Sequence, residues 1–220
     1  MARNKHPEET VKRIVEQARK LFLEKGYEST SIQDIINNLG GLSKGAIYHH
    51  FKSKEEIFEA VCQTIGEENA VYFNQIRDNP NQNGMEKLKT MLQAAYLNPT
   101  NDVVIAMMNQ IMNDPKFLTN QIYEIYELVS PQYVQPILEQ GMADGSIETQ
   151  HPKELAEVLT TLLNIWLNPI IAKTTGEQMR RKLEFFVRLL QGVGLDLFDE
   201  DMIEQYVQLC QRYQQVKHLL

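Results

Sequence analysis

Residues 29–58, STSIQDIINNLGGLSKGAIYHHFKSKEEIF, read as two short helices joined by a glycine turn and followed at once by a third helix. Thr30 or Ser31 can cap the first of these helices, with Gln33 or Asp34 completing a capping box. Ile32, Ile35 and Ile36 then share its inward face, and Gly40-Gly41 ends it. Ser43 opens the second helix, which runs to Phe51 with Ala46, Ile47 and Phe51 as core contacts. Ser53-x-x-Glu56 reads as another capping box and starts a longer helix, carried by Ile57, Val61 and Ile65 and then by Tyr72, Phe73 and Ile76 toward Asp78. Upstream, Val11, Ile14, Ala18, Leu21 and Phe22 repeat at helical spacing, and Gly26 stands where a C-cap belongs.

This order meets the demands of a helix-turn-helix. One helix packs across the backbone, a tight turn follows, and the second helix brings its N-terminal residues to the major groove. Ile32, Ile35, Leu42, Ile47 and Phe51 can form the apolar triangle that fixes the angle between the two helices. Gly45 and Ala46 are small enough to let the helix start approach DNA, and Lys44 can meet a phosphate or a guanine edge. Tyr48 and His49 point outward if Ile47 and Phe51 point inward. Thr30 and Lys54 sit at helix starts, where hydroxyl, ammonium and free N–H groups bind phosphate. Ser31 and Ser43 complete the expected DNA contacts, and His50 suits packing or phosphate equally.

The net charge of −7 looks wrong for a DNA binder until it is divided. Residues 1–60 hold 10 Lys and Arg against 9 Asp and Glu, a net +1, and residues 61–220 hold 12 against 20, a net −8. The acidic excess lies wholly after the motif, so a basic face on the head remains compatible with DNA. No apolar run is long enough for a membrane span, and no apolar segment backs the N-terminal charges as in a secretory signal. Cys62 and Cys210, far apart and without CxxC spacing, suit buried thiols in a reducing cytoplasm. The five histidines show no metal-ligand spacing, so neither a metal nor another cofactor is expected.

Here the stretch from Glu8 to about Val61 resembles the DNA-binding domain of TetR-family transcriptional regulators. The resembling residues are Ile14, Ala18, Leu21, Phe22, Gly26, Tyr27, Thr30, Ser31 and Ile35, then Gly40, Leu42, Ser43, Lys44, Gly45, Tyr48, His49, His50 and Phe51, and the run Lys52-Ser53-Lys54-Glu55-Glu56. One departure stands out. The family usually has a single Gly before Val-Ser, whereas this chain has Leu39-Gly40-Gly41-Leu42-Ser43, a turn longer by one residue. The resemblance implies a homodimeric regulator, usually a repressor, on a palindromic operator in double-stranded DNA. It also implies a C-terminal body that binds a small molecule and, through its last long helices, a second copy.

The expected fold is therefore all-α. Residues 1–58 form a three-helix DNA-binding domain and residues 59–220 a larger helical effector-binding and dimerisation domain. After the linker Asn79–Gly84, helices are expected near 85–97, 101–113, 115–143, 152–172, 176–193 and 199–217, with Pro131 and Pro136 kinking or splitting the third. Met107, Met108, Ile111 and Met112 form a helical stripe that reads as core or as an adaptable pocket. Tyr123, Tyr126 and Trp166 lie on neighbouring apolar segments and would serve the same largely apolar effector. The helices near 152–172 and 176–197 are apolar on more than one face and are the expected dimer contacts. An all-helical enzyme or a protein-binding adaptor is the competing class. No nucleophile–base order, HExxH or phosphate-cradling loop favours an enzyme, and neither class needs Ser-Lys-Gly and Tyr-His-His at a helix start.

Overall fold

The computed structural model describes residues 7–41, 44–96, 115–172 and 174–218, and every regular element among them is a helix. No helix of the described residues is long and apolar enough to cross a membrane. The chain divides into two compact units, the first reaching Val71 and the second starting at Tyr72.

The first unit holds helix α1 (Pro7–Lys25), α2 (Ile32–Asn38), α3 (Lys44–His50) and the larger part of α4 (Lys54–Arg77). Ile14, Ala18, Leu21 and Phe22 recur at helical spacing and are buried together with Ile35, Ile47, Ile57 and Val61. Gly26 ends α1 with φ +80°, a left-handed conformation that suits glycine. Between the two capping candidates the geometry selects Ser31. Its Oγ accepts from Asp34 N, and the Asp34 carboxylate accepts from Ser31 N, which closes a reciprocal box. At α4 the Glu56 N–H donates to Ser53 Oγ, but the Glu56 carboxylate takes the Lys52 N–H instead of that of Ser53.

The second unit takes the end of α4, then α5 (Gly84–Tyr96), α6 (Pro115–Tyr123), α7 (Gln135–Asp144), α8 (Pro152–Thr161), α9 (Pro169–Ala172), α10 (Gly176–Gln191) and α11 (Glu200–His218). Pro131 and Pro136 do not split the third helical stretch. The segment Glu124–Val134 joins α6 to α7 as a wide π-helix with Pro131 inside it, and the Gln135 N–H reaches the Ser130 carbonyl five residues back. A second π segment, Leu162–Trp166, follows α8, with the Leu167 N–H on the Leu162 carbonyl at 2.8 Å. At the end of α4, Phe73 and Ile76 join the core as expected, but Tyr72 is exposed.

Asn79–Gly84 is an ordered turn. Asn83 and Glu86 exchange N–H bonds through their side chains and so cap α5. Lys87, only 3% exposed, donates to the Arg77 carbonyl that ends α4 and to Gln140 Oε1 on α7. Its partners offset the cost of burying a cation.

Candidate nucleic-acid interface

α3 (Lys44–His50) holds most of the residues that the sequence assigns to DNA. Ile47 is fully buried and Phe51 nearly so, which anchors one side of the helix. Lys44, Gly45, Tyr48 and His49 are exposed on the other, and Ala46 is half-buried. Tyr48 leaves 43% of its surface open, and the Lys44 ammonium sits 5.8 Å from its ring centre. A flat aromatic, a mobile cation and an imidazole thus share one short face with no bulky aliphatic side chain among them. That face can stack, donate to phosphate and donate to base edges. His50 turns away. Its ring lies 5.1 Å from that of His49, and its Nε2 is buried with no partner among the described residues.

Three of the expected contacts are placed otherwise. Thr30 is 1% exposed, and its hydroxyl donates 2.8 Å to the Gly26 carbonyl, so it closes the α1–α2 corner. Ser31 is exposed, but its hydroxyl proton goes to Asp34. This bond, the Ser31 N–H and the nearby Lys25 hold the Asp34 carboxyl below its ordinary range. Lys54 is half-buried. Its Nζ lies 2.9 Å from the Tyr27 carbonyl and 4.1 Å from the Tyr27 ring centre, which makes it a strut inside the head. Tyr27 also packs edge-on against Phe58 and bonds Glu55, and burial followed by the Glu55 charge pushes its phenol well up. Ser43 and Leu42 lie outside the described residues.

Sequence reasoning missed two long-range struts within the head. Arg19 on α1 forks onto both oxygens of Glu68 on α4 at 2.9 and 2.8 Å. Arg13 Nη2 donates 2.8 Å to the Leu39 carbonyl at the end of α2. Neither pairing has a local signal, because the partners are 49 and 26 residues apart.

Among the described residues, the effector candidates Tyr123, Tyr126 and Trp166 are not brought into one site. Met107, Met108, Ile111 and Met112 lie outside the described residues. Tyr123 and Tyr126 are exposed on α6 and the π segment that follows it. Trp166 lines a separate open cleft of about 470 Å³ with Thr174, Gln178, Arg181, Lys182 and Phe185. Lys182 donates to the Trp166 carbonyl and lies 4.8 Å from the Trp166 ring centre, and burial lowers its ammonium pKa. This cleft is aromatic and cationic.

Residues 14–61 match the family model for bacterial regulatory proteins of the tetR family. The chain is 27% identical over 187 residues to the HTH-type transcriptional repressor AcnR of Corynebacterium glutamicum, covering 84% of this chain and 93% of that protein. It is 28% identical over 193 residues to the transposon Tn10 TetC protein of Escherichia coli, covering 87% and 93%. In fold it is similar to a TetR-family transcriptional regulator from Pectobacterium atrosepticum, with a TM-score of 0.61 at 22% identity, over 87% of this chain and 97% of that one. The family match spans α1, α2, α3 and the first residues of α4, the elements that bury Ile47 and leave Tyr48 open. Residues 14–61 thus carry the N-terminal domain of the tetR family of bacterial regulatory proteins, and over most of its length the chain is similar to regulators of that family.

Proposed function

We propose that the protein is a cytoplasmic repressor that binds a palindromic operator through α3 and leaves it when a small effector occupies the second unit. The observation that carries this is the α3 face itself: Lys44, Gly45, Tyr48 and His49 open to solvent around a buried Ile47. Those four residues and Ala46 are the proposed contacts. Repression is supported by the C. glutamicum relative, which is named a repressor. The functional division is residues 1–58 for DNA and 59–220 for effector and pairing.

A single seven-residue helix offers few contacts, so useful affinity needs two heads. We infer a homodimer through the α8 and α10 region. Phe185 and Leu189 stand one turn apart on α10, Val193 follows a turn later, and all three are exposed, Phe185 by 59%. Val158 on α8 is exposed too. Apolar side chains in such a row ask for a partner. Trp166 packs edge-on against Phe185 at 6.1 Å, so we assign it to this pairing face and leave Tyr123 and Tyr126 with the effector. The two heads then need half-sites about 34–36 Å apart. An effector that spreads them by a few ångströms abolishes double engagement.

The test is enrichment of bound sequences from a random duplex pool, followed by affinity against salt. The reading expects a two-fold-symmetric sequence and a linear fall of log K with log salt. No enrichment over the starting pool would overturn it.

A further inference from the structure

We propose that Arg13 is a specificity-determining positioning residue: its guanidinium holds the Leu39 carbonyl and thereby fixes the lengthened glycine turn that aims α3. The inference rests on α3 being the DNA-reading helix.

Leu39 is the C-cap of α2, with its side chain 5% exposed and its N–H on the Ile36 carbonyl at 3.2 Å. The next two residues both take left-handed conformations, Gly40 at φ +50° and Gly41 at φ +96°. Both are exposed, and a Cβ added at either would meet nothing within 4 Å. This turn therefore draws no support from packing at its two glycines. Glycine also has the widest backbone freedom of any residue, so two in succession leave the direction of the turn weakly fixed.

The restraint acts at the entry to the turn. Arg13, anchored on α1 beside the buried Ile14, donates 2.8 Å to the Leu39 carbonyl. No carboxylate pairs with Arg13 among the described residues. A cation at the carbonyl end of a helix is also electrostatically favoured there. The bond thus joins a helix that carries the core of the head to the C-cap carbonyl just before the glycines. An error in direction at Leu39 is passed to Tyr48, nine residues on. Base-edge hydrogen bonds demand a fixed helix direction, whereas phosphate contacts tolerate a range. Loss of Arg13 should therefore weaken operator binding selectively.

The experiment compares full-length wild type and Arg13→Gln on two duplexes, one enriched from the random pool and one of equal length and composition in scrambled order. The expected result is about a tenfold loss on the enriched duplex, the equivalent of one hydrogen bond to a charged group. Affinity for the scrambled duplex should stay within about twofold, with its salt slope unchanged. Retention of enriched-duplex affinity within about twofold would overturn the inference. So would an equal loss on both duplexes with the salt slope reduced by about one, because Arg13 would then be a phosphate ligand. A wild type that does not distinguish the duplexes would instead refute the DNA-reading assignment beneath it. Arg13→Lys keeps the charge and serves if the glutamine variant melts. It should lose about threefold in the ratio of the two affinities, and an unchanged ratio overturns the proposal.

Discussion

Replacing Lys54 by methionine removes an ammonium from the underside of the DNA-binding head while leaving most of the apolar stem to cover Tyr27. Two interactions go. The bond to the Tyr27 carbonyl at 2.9 Å is charge-assisted, and in a part-buried setting it contributes about 1.5 kcal/mol. The ammonium 4.1 Å from the Tyr27 ring centre adds about 0.5 kcal/mol. Methionine restores some contact with the ring through its thioether, so the net loss is about 1.5 kcal/mol. Hydrogen exchange reads this in the correct unit: protection of the Ile14, Ala18 and Ile35 amides should fall by about tenfold. The fluorescence of Trp166, which belongs to the second unit, is the internal control, and its urea midpoint should not move. The salt slope of DNA binding should not move either. Unchanged exchange together with a slope reduced by about one would show that Lys54 touches phosphate, and the strut assignment would be wrong.

Four further outcomes are expected. Gly84→Ala places a Cβ 2.4 Å from Gly141 Cα, so it should lower the stability of the second unit by about 2 kcal/mol or more in urea. Gly66→Ala in α4 meets nothing within 4 Å and should instead raise stability by about 0.5–1 kcal/mol; a loss at Gly66 would contradict the open space described there. Asp34 has a depressed pKa in the folded head, so its contribution is present above the ordinary aspartate value of 3.8 and is lost as pH falls through the depressed one. The stability difference between wild type and Asp34→Asn should therefore be fully developed at neutral pH and shrink in acid below that window. A difference that grows in acid would reverse the sign of the linkage. Phe185→Glu with Leu189→Glu should convert a sedimenting dimer to a monomer at micromolar concentration, and a wild type that is already monomeric would remove the pairing face.

The head was legible because its determinants are local. Ser31 and Asp34 are three residues apart, Ile35 and Ile47 fall on faces that helical spacing alone assigns, and Gly26 marks a left-handed cap. What escaped was set by tertiary approach. Thr30 and Lys54 sit at helix starts, as phosphate ligands do, yet the fold brings the Gly26 and Tyr27 carbonyls within their reach and satisfies them internally. Lys87 illustrates the same limit in the second unit. A lysine four residues into a helix reads as surface, and only the Arg77 carbonyl and Gln140 Oε1 make its burial tolerable. Pro131 was expected to kink or split its helix, whereas the chain switches to i→i+5 bonding around it, a backbone choice with no side-chain signature.

α3 is the helix proposed to lie in the major groove. The most direct measurement is an amide chemical-shift titration of the labelled full-length protein with the enriched duplex. The largest changes are expected at Gly45, Ala46, Tyr48 and His49, with smaller ones at Ile14 and Ala18 in the core of the head. Shifts confined to residues after Val71, with α3 silent, would contradict it.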